Sequence, residues 1–82
     1  MSKRVLAYVL MEIELGRTDD VVEQLKQIEE ATRVAVTTGV YDIVVLLEVE
    51  DLEKLYEVTV KQIHSIPGIR DTSTAVVEKM ID

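Results

Sequence analysis

Two stretches of this chain, Val5 to Met11 and Ile43 to Leu47, are apolar at every position. A strand with one wet face alternates apolar and polar residues, because successive side chains point to opposite sides. Here Val5, Ala7, Val9 and Met11 point one way while Leu6, Tyr8 and Leu10 point the other. Ile43, Val45 and Leu47 oppose Val44 and Leu46 in the same manner. Any sheet built from these strands has two apolar faces, and both need a cover. With 82 residues the chain reads as one small domain, residues 1–82, so the supply of cover is limited.

The remaining pattern tells what that supply is. Three glycines (Gly16, Gly39, Gly68) and one proline (Pro67) fall between periodic segments. Residues 4–14 read as a first strand, closed by a Gly16-Arg17 turn. Thr18 is placed to cap a helix, with Asp19 and Asp20 where a helix N-terminus favours negative charge. Val21, Val22, Leu25 and Ile28 then recur at helical spacing, to about Glu30. Strands are predicted over residues 32–38 and 41–50, joined by Thr38-Gly39-Val40-Tyr41 as a tight hairpin in which Gly39 is free to take positive φ. Asp51 is placed to cap a second helix whose one face carries Leu52, Leu55, Tyr56, Thr59, Ile63 and Ile66, and Pro67-Gly68 ends it. A last strand is predicted over residues 72–81. The order β-α-β-β-α-β predicts an α+β chain of the ferredoxin-like, split-βαβ kind, a four-stranded antiparallel sheet with two helices on one face.

Two helices cover one face only. The smaller outward sets, Leu6, Tyr8, Leu10, Val44 and Leu46, are then left without a cover, although one sequence does not decide which set the helices take. Leaving five such side chains wet forgoes about 7–15 kcal/mol as an upper bound, as much as the whole stability of a small domain. Burial against a second copy is the economical solution, and a twofold dimer is its commonest form.

Charge and chemistry narrow the function. Nine Lys+Arg against 16 Asp+Glu give a net charge of −7, the wrong sign for gripping nucleic acid or an anionic lipid surface. There is no cysteine and a single histidine, which excludes disulfides, thiolate metal sites and a cysteine nucleophile. Lys3 and Arg4 ahead of the first apolar run imitate the front of a leader. The run instead meets Glu12 and Glu14 with no small-residue cleavage site, and is too short to span a bilayer. The chain reads as cytoplasmic, without membrane contact. Ser65 follows His64 but neighbours in sequence do not face each other on a helix, so His64 reads as a helix-end dipole partner or surface residue. Glu12 and Glu14 read as a solvated strand end. No phosphate loop, metal-spaced cluster or nucleophile elbow is present, so no enzyme, cofactor or metal is expected.

Two segments carry candidate binding chemistry. One is Thr37-Thr38-Gly39-Val40-Tyr41-Asp42, a hairpin tip with a flexible backbone, a phenol and a carboxylate. The other is Pro67-Gly68-Ile69-Arg70-Asp71-Thr72-Ser73-Thr74, three hydroxyls entering a strand, with Thr72 and Thr74 on one face and Ser73 on the other. A zwitterionic amino acid needs an anion for its ammonium, N–H or O–H donors for its carboxylate, and an apolar wall. Asp42, the hairpin amides with Thr72 and Thr74, and interface aliphatics are able to supply these in turn.

The first segment, continued as Ile43-Val44-Val45, resembles the G-x-[YF]-D and hydrophobic-strand segment of Lrp/AsnC-type regulators. Ile66-Pro67-Gly68-Ile69-Arg70-Asp71-Thr72-Ser73-Thr74-Ala75-Val76-Val77 resembles their L-P-G-V-x-x-T-x-T segment, and the distance between the two also fits. The resemblance covers essentially the whole chain as the C-terminal effector-binding (RAM) module. It implies a ferredoxin-like fold whose sheets pair into a homodimer, with dimers joining into octamers or similar rings. It also implies amino acids or related metabolites bound between dimers. By position Gly39, Tyr41, Asp42, Thr72, Ser73 and Thr74 are the implied effector-site residues, with Asp42 meeting the ammonium and the Gly39 region and threonine hydroxyls the carboxylate. Full regulators of this type carry an N-terminal helix-turn-helix, whereas this sequence starts at the first strand of the effector module. The expectation is therefore a stand-alone module that senses a small molecule, or modulates full-length regulators by co-assembly, without direct DNA contact.

Two alternatives share the element order. An ACT-like regulatory domain binds amino acids near the first strand-helix turn, here Gly16-Arg17-Thr18. A small dimeric α+β-barrel enzyme needs a polar cavity between helices and sheet, which the apolar helix faces do not suggest.

Overall fold

The computed structural model describes residues 4–81. Its sheet has the order β2-β3-β1-β4. Strand β1 (Val5–Ile13) pairs antiparallel with both β3 (Ile43–Val49) and β4 (Ile69–Val76), and β2 (Ala31–Val36) pairs antiparallel with β3. Helix α1 (Thr18–Leu25) connects β1 to β2, and α2 (Leu52–Glu57), continued by a π-helical segment Val58–Ile63, connects β3 to β4. This is the ferredoxin-like order expected from the sequence.

The helices cover the face carrying Ala7, Val9, Met11, Ile43, Val45 and Leu47, all at most 1 % exposed. Val21, Leu25, Leu55, Val58 and Ile63 complete that core from the helix side. Leu6, Tyr8, Leu10, Val44 and Leu46 stay partly exposed on the opposite face, which settles the choice the sequence left open. Register places Tyr8 between Leu46 and Ala75, and Leu10 between Val44 and Ser73. Met80 lines a shallow hollow on this open face with Tyr8, Arg33, Val44 and Leu46.

Several boundaries differ from expectation for local reasons. Helix α1 stops at Leu25 rather than near Glu30, because Gln27 N–H and Ile28 N–H donate three residues back, to Gln24 and Leu25. That tightened turn still delivers Ile28 into the core. Thr18 is the first helical residue and not the cap; Arg17 precedes the helix without a side-chain capping bond. Asp51 does cap α2, its Oδ1 accepting from Lys54 N–H at 2.7 Å.

The second helix changes pitch midway. Thr59 Oγ1 donates to the carbonyls of Leu55 (3.0 Å) and Tyr56 (3.1 Å), and His64 N–H reaches five residues back to Thr59 O at 2.9 Å. The wider turn buries Val58 beside Thr59. Leu52 and Tyr56, expected on the inner face, are 61 % and 66 % exposed. The last strand runs over Ile69–Val76 instead of residues 72–81. Ile69 already pairs with Ile13, and Val77 N–H makes a last bond to Leu6 O near the start of β1. No helix of the described residues is long and apolar enough to cross a membrane.

Candidate functional site

The β2–β3 hairpin is closed by main-chain acceptors and tied to β1 through Asp42. Thr37 N–H donates to Asp42 O at 2.8 Å, closing a loop over Thr38-Gly39-Val40-Tyr41 with Gly39 at φ +125°. Thr37 Oγ1 donates to Tyr41 O at 2.8 Å, which turns that carbonyl into the loop. Asp42 N–H donates to Met11 O, and Asp42 Oδ2 accepts from Ile13 N–H, both at 2.8 Å. The Asp42 side chain thus adds a rung to β1 at Ile13, beyond the last paired residues Met11 and Ile43. Val40 projects from the tip, 77 % exposed.

The second segment starts at a pinned turn. Gly68 has φ +101°, and a Cβ there would meet Arg17 Cβ at 3.0 Å and Val21 Cγ2 at 3.2 Å. Gly68 O accepts from Glu14 N–H at 2.8 Å, so the turn is held against the β1–α1 connection. Glu12 pairs with Asp71 but Ile13 with Ile69, leaving Arg70 as the extra residue of a bulge. Asp71 Oδ1 accepts from Thr72 N–H at 3.0 Å. Beyond the bulge Thr72 pairs with Met11 and Thr74 with Val9, which puts both threonines on the helix side. Ser73 pairs with Leu10 on the open face.

The sequence-predicted residues therefore fall into separate groups. Gly39, Tyr41 and Asp42 share the hairpin, Thr72 and Thr74 share one side of edge strand β4, and Ser73 faces away from them. Ile43 and Thr72 both register with Met11, so hairpin and threonines bracket the same end of β1. Two strand spacings keep their backbones about 10 Å apart.

His64 joins this site, which the sequence reading had not placed there. Its Nε2 lies 3.1 Å from Thr72 Oγ1, and the two line a groove of about 260 Å³ with Ile69, Arg70 and Asp71. Its signal was the Pro67-Gly68 reversal: a tight turn after the helix lays the last helical residues over the first residues of the next strand.

The opposite end of the sheet is a charged cleft lined by Arg4, Glu29, Glu30, Glu48, Glu50 and Lys54. Lys54 Nζ reaches Glu57 Oε1 at 2.9 Å and Glu30 Oε2 at 3.7 Å, and Arg4 Nε reaches Glu48 Oε2 at 3.0 Å. The hydrogen bond and charge of Glu57 raise the Lys54 pKa above its ordinary value, with a smaller push from Glu30. Lys54 in turn lowers that of Glu57. Among the described residues no group of three or more His, Cys, Asp or Glu is arranged to hold a metal. The space between helices and sheet is filled by aliphatic side chains, with Thr59 the buried polar residue there.

Known proteins with this arrangement have a common theme. The HTH-type transcriptional regulator FL11 of Pyrococcus abyssi is 36 % identical over 75 residues, covering 92 % of this chain and 49 % of the regulator. The chain spans about half the length of the curated relatives it matches. Among solved structures, FFRP-DM1 is 32 % identical with a TM-score of 0.86, covering 89 % of this chain and 97 % of that one. The transcriptional regulator NMB0573 of Neisseria meningitidis, solved as an L-Met complex, shares the fold at a TM-score of 0.88. Its identity is 18 %, and the match covers 95 % of this chain and 52 % of that one. The family model for the Lrp/AsnC ligand binding domain matches residues 6–81. With that match running through β1, the hairpin and the Thr72–Thr74 strand alike, the chain belongs to the Lrp/AsnC ligand-binding domain family, whose named relatives are transcriptional regulators.

Proposed function

We propose that this chain binds an amino acid or related small metabolite between copies of itself and acts on transcription through assembly, its own surface making no contact with DNA. The observation that carries this reading is the separation of the two polar groups. The ammonium and carboxylate of an amino acid share one carbon, whereas the Asp42 hairpin and the Thr72–Thr74 strand stand about 10 Å apart across β1. One copy therefore offers each half of the recognition chemistry in a different place. A neighbouring copy brings the hairpin of one beside the threonines of the other, with aliphatic side chains at the junction as the apolar wall.

In this reading Asp42 receives the ammonium, and the hairpin amides around Gly39 with the Thr72 and Thr74 hydroxyls receive the carboxylate. Tyr41 borders the pocket, whereas Ser73, paired with Leu10 on the open face, falls outside it. The open face with Leu6, Tyr8, Leu10, Val44 and Leu46 supports a homodimer beneath such a site, with dimers joining into a larger ring. The net charge of −7 supports action without DNA contact. Full-length regulators of the same family are the protein partners it fits. Ligand shifts assembly only by the difference in its affinity for the assembled and separate states.

Calorimetry with each of the twenty amino acids, starting with L-Met, tests the binding; mass in solution with and without the binder tests the assembly. Binding by one of them, weakened at least tenfold in Asp42→Asn, supports the reading. Absence of any binding removes it.

A further inference from the structure

We infer that His64 is a positioning residue for effector recognition: it sets which way the Thr72 hydroxyl points, and so makes binding of a carboxylate pH-dependent. The inference rests on the effector reading given above.

A hydroxyl has one proton to give. Thr72 Oγ1 lies 3.1 Å from His64 Nε2, and the direction of that bond follows the state of the ring. We take the neutral ring as the tautomer with its proton on Nδ1: Nε2 is then the acceptor, and Thr72 donates into the ring and turns only lone pairs toward the groove. A carboxylate approaching there meets oxygen against oxygen. When the ring is protonated, Nε2–H must donate, Thr72 Oγ1 accepts, and the hydroxyl proton is released toward the ligand. The relay His64–Thr72–carboxylate is then continuous, and the imidazolium adds a favourable charge close by.

The placement is specific to this chain's construction. The Pro67-Gly68 turn folds the end of the π-helical segment onto β4, and the bulge at Arg70 resets the strand so that Thr72 faces the helices. The charged residues nearest the ring are Arg70, at the bulge of β4, and Lys61, one turn back on its own helix; Asp71 lines the same groove, but its pairing with Glu12 turns its side chain toward the open face. Asp71 already receives Thr72 N–H, which fixes the main chain beneath the hydroxyl and leaves the ring as the variable partner.

The tightest-binding amino acid from the calorimetric survey, and its carboxamide, are titrated into the chain at pH 5.5 and 7.5. The ligand's carboxylate does not change charge between these values. The expected result is about three- to tenfold tighter binding of the amino acid at pH 5.5, the worth of one hydrogen bond, and no such gain for the carboxamide. His64→Gln keeps a donor and an acceptor but does not titrate; it is expected to bind with a flat pH profile, and Thr72→Val to bind weakly with a flat profile. A pH gain that persists in His64→Gln, or a flat profile in the wild type, overturns the inference while leaving the effector reading intact. If no amino acid binds at either pH, both fall together.

Discussion

Asp42 has two duties in this scheme, and substitution separates them. Its Oδ2 accepts from Ile13 N–H at 2.8 Å, at a β1 residue only 7 % exposed. Asp42→Ala strips that amide of its acceptor and leaves water little access to replace it. Leaving a buried donor unsatisfied costs about 1–3 kcal/mol. Asp42→Asn keeps a carbonyl oxygen in place, losing only the charge assistance, and is expected to cost at most about 1 kcal/mol. For a domain of this size each kcal/mol moves the midpoint by about 4–8 °C, so a loss near 2 kcal/mol lowers Tm by about 8–16 °C. Urea and thermal unfolding should be followed at one fixed chain concentration, because any self-association adds its own concentration dependence. The expected order of stability is wild type, then Asn, then Ala. Effector affinity should fall at least tenfold in both variants, because both lack the charge that meets the ammonium. Equal stability of Ala and Asn would refute the rung as a contributor to the fold. Unchanged affinity in Asn would refute the ammonium contact and leave Asp42 a scaffold residue alone.

Other consequences are independent of that pair. Gly68→Ala is expected to cost more than Gly39→Ala in urea unfolding, by about 1 kcal/mol or more. Both sit at positive φ, but only the Gly68 position brings a Cβ to 3.0 Å from Arg17. Leu10→Glu on the open face should convert an associating chain to one of monomer mass in sedimentation without unfolding it; an unchanged mass would show that this face is not where copies meet. The Lys54–Glu57 pair predicts a two-sided pH window when wild type is compared with Lys54→Met. Glu57 is lowered from 4.5, so its contribution is present above that value and is lost as pH falls through the depressed one. Lys54 is raised from 10.5, so its contribution is present below that value and is lost as pH rises through the raised one. The stability difference between the two proteins should therefore vanish at both extremes.

The fold was largely legible because it is written in side-chain alternation and in four punctuating residues. Val5–Met11 and Ile43–Leu47 declared two-faced strands, and Pro67-Gly68 marked the second helix's end. What alternation does not encode is competition for hydrogen bonds along the helix. Thr59 looked like one more residue on a buried stripe, yet its hydroxyl takes the Leu55 and Tyr56 carbonyls where the pitch widens. Leu52 and Tyr56, on the regular turns ahead of that shift, are exposed rather than turned inward. The end of β4 was overextended for a similar reason: Val77 to Ile81 are apolar and β-compatible in part, but a strand lasts only as long as its neighbour offers rungs.

The site was legible as residue types and not as geometry, because its geometry depends on register between segments about thirty residues apart. The two-residue period already separates Thr72 and Thr74 from Ser73 in the sequence; only pairing with Met11, Leu10 and Val9 tells that the threonines take the helix side and Ser73 the open face. Asp42 reads as a free carboxylate until the end of β3 is known, when one oxygen proves to complete the β1 ladder. The same ladder explains why a carboxylate suits this position better than any neutral acceptor. A hairpin that must hold its own main chain and present negative charge at one point needs two acceptor oxygens on one short side chain. Aspartate has them, asparagine has one, and glutamate would reach past Ile13. The substitution Asp42→Glu should consequently lose the rung while keeping the charge, the mirror image of Asp42→Asn. Stability and ammonium recognition would then fail in different proteins, which is the behaviour expected if both reside in one carboxylate.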